Sequence, residues 1–261
     1  ILIAFSTAAI ALLPWIYKQR HAWLPALPFM LALAALGGFA NVAFQTAIAE
    51  GDVIRVMILF YMLPVWSTLG GKIFLNEAID SRRIIALLFC ISGAFFILEI
   101  WHFSWTYFTW VDALALGSGM GLAASNILFR FTSHIPLASK IGFMFMGCIG
   151  LIGLSLFFFA DLITHHTHWL ETSLDTLDTK SIPFAMSYGL IWLMLITFGS
   201  QWAVTQIEAG RSAIILVLEL VAAVTSVVIV THSQLQVHEL MGGLMVCIAA
   251  ILEGYRTKPS V

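Results

Sequence analysis

Glu219 is the residue whose type and position most strongly suggest chemistry. It lies eight residues beyond Arg211 in a long apolar stretch, which places it ~12 Å into a membrane helix that rises ~1.5 Å per residue. An ionisable side chain at that depth is costly and by default faces a cavity or a partner. We therefore expect Glu219 to bind a substrate or to carry a proton. The alternative is a hydrogen-bonded structural glutamate that holds helices together.

Carboxamide and hydroxyl side chains recur at helical spacing in both parts of the chain. Asn41 and Gln45 are four residues apart, so they share one face of a helix. Gln201 stands at the same spacing from Thr197 and Thr205. These groups suit a mid-membrane cavity that hydrogen bonds a polar solute. Hydrogen bonding between helices, worth only about 1 kcal/mol per bond, is the equally weighted alternative.

Three aromatic residues adjoin these polar positions. Tyr61 and Trp66 flank Pro64, and Trp202 follows Gln201. Aromatic rings on a cavity wall could stack on an amphipathic or aromatic substrate, whereas lipid-facing or core packing is the slightly favoured alternative for each ring. Pro64 frees a backbone carbonyl and bends its helix, so it is either a hinge beside the site or a static kink.

These residues are carried by a very apolar chain. Of its 261 residues, 61% are hydrophobic and 10% are charged, whereas an average soluble domain is roughly half apolar and about a quarter charged. The imbalance excludes a disordered chain, argues against a water-soluble globule and favours lipid as the solvent. The net charge of -2 gives no indication of nucleic-acid binding. Cys90, Cys148 and Cys247 each lie in an apolar run, which indicates neither a disulfide framework nor a metal site.

A helix that crosses a bilayer needs roughly 20 mostly apolar residues. The sequence predicts nine such helices, joined by short connections except for a polar loop at 165–181. Their predicted ranges are 1–17, 24–48, 53–74, 84–100, 110–129, 141–163, 184–205, 212–231 and 239–254.

The basic residues assign the two sides of the membrane. Ten of the 12 Lys and Arg fall on connections at one side, and only Arg55 and Lys180 fall at the other. Cytoplasmic loops are enriched in Lys and Arg. We therefore predict a cytoplasmic C-terminus in a multi-pass protein of the inner or plasma membrane. Residue 1 would then lie outside, and one earlier helix would place the N-terminus inside.

An internal repeat emerges when the chain is shifted by 156 positions. Gln45 then falls on Gln201, and acidic Asp52 falls on acidic Glu208. An odd number of helices per repeat places the two halves in opposite orientations, which is the construction of many secondary transporters. The predicted architecture is therefore an all-α membrane protein with inverted repeats and a substrate site near mid-depth.

Several segments resemble the EamA type of the drug/metabolite transporter superfamily. Residues 59–66 (Leu-Phe-Tyr-Met-Leu-Pro-Val-Trp), 74–77 (Phe-Leu-Asn-Glu) and 91–94 (Ile-Ser-Gly-Ala) resemble the end of one EamA repeat. Four further segments resemble parts of the second EamA repeat. They are residues 110–116 (Trp-Val-Asp-Ala-Leu-Ala-Leu), 124–126 (Ala-Ser-Asn), 218–223 (Leu-Glu-Leu-Val-Ala-Ala) and 239–243 (Glu-Leu-Met-Gly-Gly). The order and spacing of these segments, more than any single one, make the resemblance specific.

The resemblance implies ten helices in two five-helix inverted repeats, of which nine are visible because the first is absent. It divides the chain into a first repeat at 1–100, an outer connection at 101–109, a second repeat at 110–254 and a cytoplasmic tail at 255–261. The sequence departs from the family pattern at the turn glycine, which is Asn76, and at the second proline, which is Leu220. Ser233 and Gln234 replace the second Gly-Glu turn.

The expected function is transport of a small polar or amphipathic metabolite by alternating access. The resemblance alone implies an amino acid or related compound and export as the direction. The expected partners are that small-molecule substrate, the lipid bilayer and, as a possibility, a second copy of the chain, with no cofactor and no nucleic acid. A membrane-embedded enzyme and a non-transporting scaffold are the alternatives, although no His-Glu-x-x-His or Gly-x-Ser-x-Gly motif is present.

Overall fold

The computed structural model of the chain describes residues 2–102, 107–166, 181–231 and 236–254, and these residues are almost entirely helical. A π-helical segment, Tyr188–Leu193, joins the helix Ser181–Ser187 to the helix Met194–Gln206. The predicted tail at 255–261 and part of the predicted connection at 101–109 lie outside the described residues. In chain order the helices are α1 (Leu2–Lys18), α2 (Arg20–Trp23), α3 (Leu27–Glu50), α4 (Val53–Phe60), α5 (Leu63–Leu75), α6 (Ser81–Ile97), α7 (Trp110–Phe131), α8 (Leu137–His166), α9 (Ser181–Ser187), α10 (Met194–Gln206), α11 (Ala209–Leu216), α12 (Leu218–Thr231) and α13 (Val237–Gly254).

Seven helical stretches in the described ranges are long and apolar enough to cross a bilayer. The helices α1 and α6 have 17 residues each, so they fall short of the roughly 20 residues that a span needs. Length and composition therefore give seven spans where the sequence predicts nine. The seven stretches are Arg20–Glu50, Val53–Leu75, Trp110–Phe131, Leu137–Ser155, Ile182–Gln206, Ala209–Val230 and Val237–Gly254.

Two of the predicted spans are interrupted near their centres. The span predicted over 53–74 consists of α4 and α5, which meet at Tyr61 and Met62. Pro64 lies in the first turn of α5, where the missing amide proton breaks no helical hydrogen bond. The span predicted over 212–231 begins earlier, at Ala209, and breaks at Val217 between α11 and α12. Apolar sequence runs continuously through both breaks, so hydropathy does not predict them.

Side-chain caps fix where several helices begin and end. Asp52 caps α4 by accepting a hydrogen bond from the Arg55 amide at 2.9 Å, and such caps satisfy amides that have no partner within the helix. Asp80 caps α6 in the same way, through the amide of Arg83 at 2.9 Å. Asn76 ends α5 with a left-handed φ of 54°, which asparagine tolerates better than most residues. Asn76 can therefore stand at the position of the family's turn glycine.

The interrupted spans match each other when the chain is shifted by 156 positions. The bounds of α4, 53–60, then fall on 209–216, which are the bounds of α11. The helix α4 begins beside Asp112 in the first turn of α7, whereas α11 begins beside Glu77, which contacts Arg130 in the last turn of α7. Asp112 and Arg130 are 18 residues apart on one helix, or ~27 Å. The two interrupted spans therefore start at opposite ends of the bundle.

Helices that precede the predicted boundary at 101–109 pack extensively against helices that follow it. The most extensive contacts pair α6 with α13, and α7 and α8 with α3. Where α6 crosses α13, the backbones touch: a Cβ added at Gly93 would lie 2.7 Å from the carbonyl oxygen of Gly242. Small residues at such crossings are typical of helix pairs in membranes. One buried apolar cluster includes Phe129 and Phe145, and a second includes Cys90.

Candidate functional site

The two interrupted spans meet through a hydrogen bond between their breaks. Tyr61, the residue that ends α4, donates its hydroxyl proton to the Oε1 atom of Glu219, in the first turn of α12, at 3.1 Å. Tyr61 is eight residues beyond the start of α4, or ~12 Å, and Glu219 is ten residues beyond the start of α11, or ~15 Å. Because the two spans start at opposite ends, both side chains lie near mid-depth. The Tyr61 ring is buried, whereas Glu219 keeps an exposed face.

A second polar pair lies between α7 and α10. Gln201 is 7% exposed and donates from Nε2 to the Oδ1 atom of Asn126 at 3.5 Å, and Asn126 is 1% exposed. The Nδ2 atom of Asn126 and the Oε1 atom of Gln201 find no hydrogen-bond partner within the described residues. Buried polar atoms without a partner are costly. This pair could therefore accept a polar solute or water.

Three consecutive residues of α5 add further polar atoms. The Nε1 atom of Trp66 and the hydroxyls of Ser67 and Thr68 are buried and have no partner among the residues that the structure describes. Trp66 packs against a buried cluster that includes Ala123 of α7, and Ala123 precedes Asn126 by three residues, or about one helical turn. The free donors and acceptors thus line the interface of α5 with α7 and continue toward α10.

The structure does not bring all the predicted site residues together. Gln45 is exposed and lies five residues before the end of α3, at the Asp112 end of the bundle, whereas Gln201 lies toward the other end. Each glutamine is only about 7 Å from its own helix end, so the structure does not bring the two glutamines together. Asn41 is half-buried and donates to the carbonyl oxygen of Gly37 at 2.8 Å. Thr197 is half-buried on α10.

Trp202 lies on the outer face of α10. It is 61% exposed and shares one helix face with Leu195 and Ile191, which are also exposed. An exposed apolar stripe at this spacing is typical of a lipid-facing surface. The placement of Trp202 favours the lipid-facing alternative over a role in the cavity wall.

A buried cluster of charges, which the sequence analysis missed, lies at one end of the bundle. We call Glu77, Arg83, Arg130, Glu208 and Glu253 the Arg83 cluster. Arg83 is 0% exposed; its Nε and Nη2 atoms donate to Glu253 Oε1 at 3.1 and 3.0 Å, and it also pairs with Glu208. Glu77 pairs with Arg130 at 3.2 Å and accepts the Ala209 amide proton at 2.8 Å. Arg83 therefore forms buried ion pairs in addition to its predicted role as a marker of the cytoplasmic side.

The opposite end of the bundle carries a smaller charge pair. Arg55 donates from Nη2 to the Oδ2 atom of Asp112 and to the carbonyl oxygen of Tyr107, both at 2.5 Å, and from Nε to Asp112 Oδ1. Such two-pronged contacts with a carboxylate are strong and directional. The Thr109 side chain fixes Asp112 through a capping box. The sequence offered one indication of this pair, because Arg55 is one of only two basic residues on its predicted side of the membrane.

Two further kinds of site could bear on function: an apolar cavity and a metal-binding cluster. A cavity of about 180 Å³ lies between α12 and α13; Val224, Leu240 and Cys247 are among its lining residues, which include no predicted site residue. In the described ranges of the chain, no group of three or more His, Cys, Asp or Glu side chains is placed to hold a metal ion.

The fold and the site together define a multi-pass, all-helical membrane protein with polar atoms in its interior. Residues 1–99 match the model of the EamA-like transporter family, so the EamA-type resemblance seen in the sequence is confirmed. A solved structure described only as "Crystal structure of protein" has a similar fold, with a TM-score of 0.71 at 11% sequence identity, and covers 96% of this chain and 84% of that chain. A comparison with curated proteins finds no match.

Proposed function

We propose that this chain is a secondary transporter that moves a small polar or amphipathic metabolite, such as an amino acid or a related compound, outward across the cell membrane. The observation that carries this proposal is the hydrogen bond from Tyr61 to Glu219. It joins the breaks of two spans that start at opposite ends of the bundle. Interrupted helices that meet near mid-depth are the typical setting of substrate sites in secondary transporters.

The proposed architecture is two inverted repeats that supply nine spans, with α1 and α6 added to the seven longer stretches. The match of α4 with α11 after a shift of 156 positions, and their opposite directions, support it. Each of the two shorter helices packs along a long one, α1 along α8 and α6 along α13. A helix one turn short of a full span can be accommodated by local thinning of the bilayer.

The proposed substrate site contains Tyr61, Trp66, Gln201 and Glu219, and the structure adds Asn126 to them. The free donors and acceptors of Trp66, Asn126 and Gln201 can bind a solute that presents both kinds of group. Asn41 and Thr197 stay in the proposal as flanking polar residues. Gln45 is proposed only for the mouth at the Asp112 end, and Trp202 for the lipid boundary.

Alternating access needs a part of the protein that can bend. Pro64, in the first turn of α5, stands next to the break that Tyr61 forms. Because the helical hydrogen-bond ladder is already interrupted there, a change of angle between α4 and α5 breaks few additional bonds. We propose this break as the hinge of the first half and Val217 as its counterpart in the second half.

The proposed orientation has the Arg83 end and the C-terminus in the cytoplasm. The distribution of Lys and Arg along the chain supports this assignment.

Counterflow in proteoliposomes tests the proposed function. Vesicles that hold the purified protein are loaded in turn with each unlabelled amino acid and related metabolite, and saturable uptake of the labelled compound is measured. We expect uptake of at least one compound by the wild-type protein and a loss of about tenfold or more with Glu219→Gln. Glu239→Gln is the matched control, because Glu239 also lies in the first turn of a membrane helix but outside the site. Uptake by none of the compounds, or equal loss in both variants, contradicts the proposal.

A further inference from the structure

Ion pairs join the two halves of the chain at both ends of the bundle. At the Arg83 end, Glu77 and Arg83 come from the first half, and Arg130, Glu208 and Glu253 come from the second. At the other end, Arg55 of the first half pairs with Asp112 of the second. The structure therefore has a charged connection between the halves at each mouth of the proposed site.

Along α7, the Arg83 cluster lies about one helical turn beyond the polar part of that site. Arg130 follows Asn126 by four residues on α7, and Glu208 follows Gln201 by seven residues on the chain. Four residues of helix correspond to ~6 Å. Separation of the cluster would therefore uncover the free polar atoms of Asn126 and Gln201.

We propose that the Arg83 cluster is the gate at its end of the bundle, closed when its ion pairs form and open when they separate, with Arg55 and Asp112 as the gate at the other end. This inference rests on the proposed function in so far as it assigns gates to the proposed transport site.

Charged groups suit a gate because neither its closed state nor its open state leaves the charges without a favourable environment. In the closed state the ion pairs offset the loss of hydration, and in the open state water hydrates the separated charges. An apolar contact of the same size would favour closure alone, since opening would expose it to water. A substrate that binds more tightly to one of the two states can therefore shift a gate built from ion pairs toward that state.

The two gates differ in burial. Arg83 is fully buried, whereas the Arg55 side chain is 20% exposed. The Arg83 gate also receives two hydrogen bonds on Glu77 from the amides of Ala209 and Gly210 at the start of α11. Opening at the Arg83 end must therefore move α11, the helix that leads to Glu219.

Side-specific labelling tests the gate without measuring transport. A Ser67→Cys reporter is introduced into the full chain after Cys90, Cys148 and Cys247 are replaced by alanine. Ser67 is 0% exposed, so a membrane-impermeant thiol reagent should label it slowly in right-side-out and inside-out vesicles. Arg83→Gln should raise the labelling rate about tenfold from the Arg83 side only, which corresponds to a shift of about 1.4 kcal/mol. Arg55→Gln should raise it from the opposite side only.

Arg82→Gln is the matched control, because Arg82 is the exposed neighbour of Arg83 in the first turn of α6 and should leave the rate unchanged. If Arg83→Gln fails to fold, Arg130→Gln decides, since the Arg130 side chain is 26% exposed and its loss disturbs the interior less. Unchanged labelling in the Arg130 variant, an equal rise from both sides, or an equal rise with Arg82→Gln would overturn the gate. A protein that shows the expected labelling but transports nothing would instead contradict the proposed function.

Discussion

Tyr61 and Glu219 are separated by 158 positions in the chain, yet the Tyr61 hydroxyl hydrogen bonds the Glu219 carboxylate at 3.1 Å. The contact joins the two spans close to their interruptions, where the hydrogen bonds from the Met62 amide to the Leu59 carbonyl and from the Leu220 amide to the Val217 carbonyl bridge three residues instead of four. A polar contact in this position has consequences for both stability and transport.

Replacement of Tyr61 by phenylalanine removes the hydroxyl and keeps the ring. We expect the free energy of unfolding to fall by about 1 kcal/mol, the usual net contribution of one hydrogen bond. The concentration for half-maximal counterflow should rise, because Glu219 loses the group that orients it. Thermal unfolding and counterflow measure the two effects, and Tyr107→Phe is the control, since Tyr107 is 79% exposed and its backbone carbonyl oxygen accepts a hydrogen bond from Arg55. Equal behaviour of both variants would argue against a site at Tyr61.

Replacement of Gln201 by leucine separates a transport role from a structural one. The wild-type carboxamide oxygen is buried without a partner in the described part of the chain, whereas the carboxamide nitrogen donates to Asn126 at a long 3.5 Å. Loss of the unpaired oxygen is stabilising and loss of the donor is destabilising, so an apolar side chain of similar size should change the free energy of unfolding by no more than about 1 kcal/mol. Transport should nevertheless fall by about tenfold or more, as expected when one buried hydrogen bond to substrate is lost. Gln206→Leu, at the exposed end of the same helix, should leave transport unaffected. A large loss of stability with Gln201→Leu would indicate that Gln201 holds helices together.

Replacement of Arg83 by methionine leaves the carboxylates of Glu208 and Glu253 without their buried cation. Removal of one partner from a buried ion pair costs about 3–5 kcal/mol. We therefore expect a large decrease in thermal stability in detergent. Arg82→Met should change stability by less than about 0.5 kcal/mol, as is usual for surface positions. A similar effect of the two variants would exclude a stabilising role for the cluster.

Two adjacent glycines on α13 should respond oppositely to alanine. A Cβ at Gly242 would lie 2.5 Å from the carbonyl oxygen of Gly93, so the backbones of α6 and α13 would have to separate. We expect Gly242→Ala to lower the free energy of unfolding by about 1–3 kcal/mol, as overpacking does. A Cβ at Gly243 would meet Val221 at an ordinary 3.7 Å, so Gly243→Ala should be neutral or stabilising. The melting temperatures of the two variants measure this difference. A Gly242→Ala variant more stable than the wild-type protein would contradict the close crossing of α6 and α13.

Much of the fold could be predicted from the sequence because membrane helices are defined by one-dimensional properties. The span predicted at 110–129 is Trp110–Phe131 in the structure, and the one predicted at 239–254 is Val237–Gly254. Length and apolar content determine these elements with little help from tertiary contacts.

The break at Val217 could not be predicted, because it leaves no mark on hydropathy, whereas Pro64 predicts a bend close to the break at Tyr61. The Arg83 cluster was missed for a different reason. Sequence reasoning treats Lys and Arg near span ends as markers of the cytoplasmic side, and burial of Arg83 depends on glutamates from the distant chain positions 208 and 253. The position of Trp202 could not be predicted either. Its residue type suits both a cavity wall and a lipid-facing surface, and only the neighbouring helices determine which of the two it lines.

The central claim is that two matched interrupted spans enter the membrane from opposite sides and meet at Tyr61 and Glu219. Glu50 and Gln206, which precede α4 and α11 and are related by the shift of 156 positions, provide the most direct test. Each is replaced by cysteine in a background without other cysteines, and labelling by an impermeant thiol reagent is measured in right-side-out and inside-out vesicles. We predict labelling of Glu50→Cys only from the outer side and of Gln206→Cys only from the cytoplasmic side. Labelling of both variants from the same side would contradict the account.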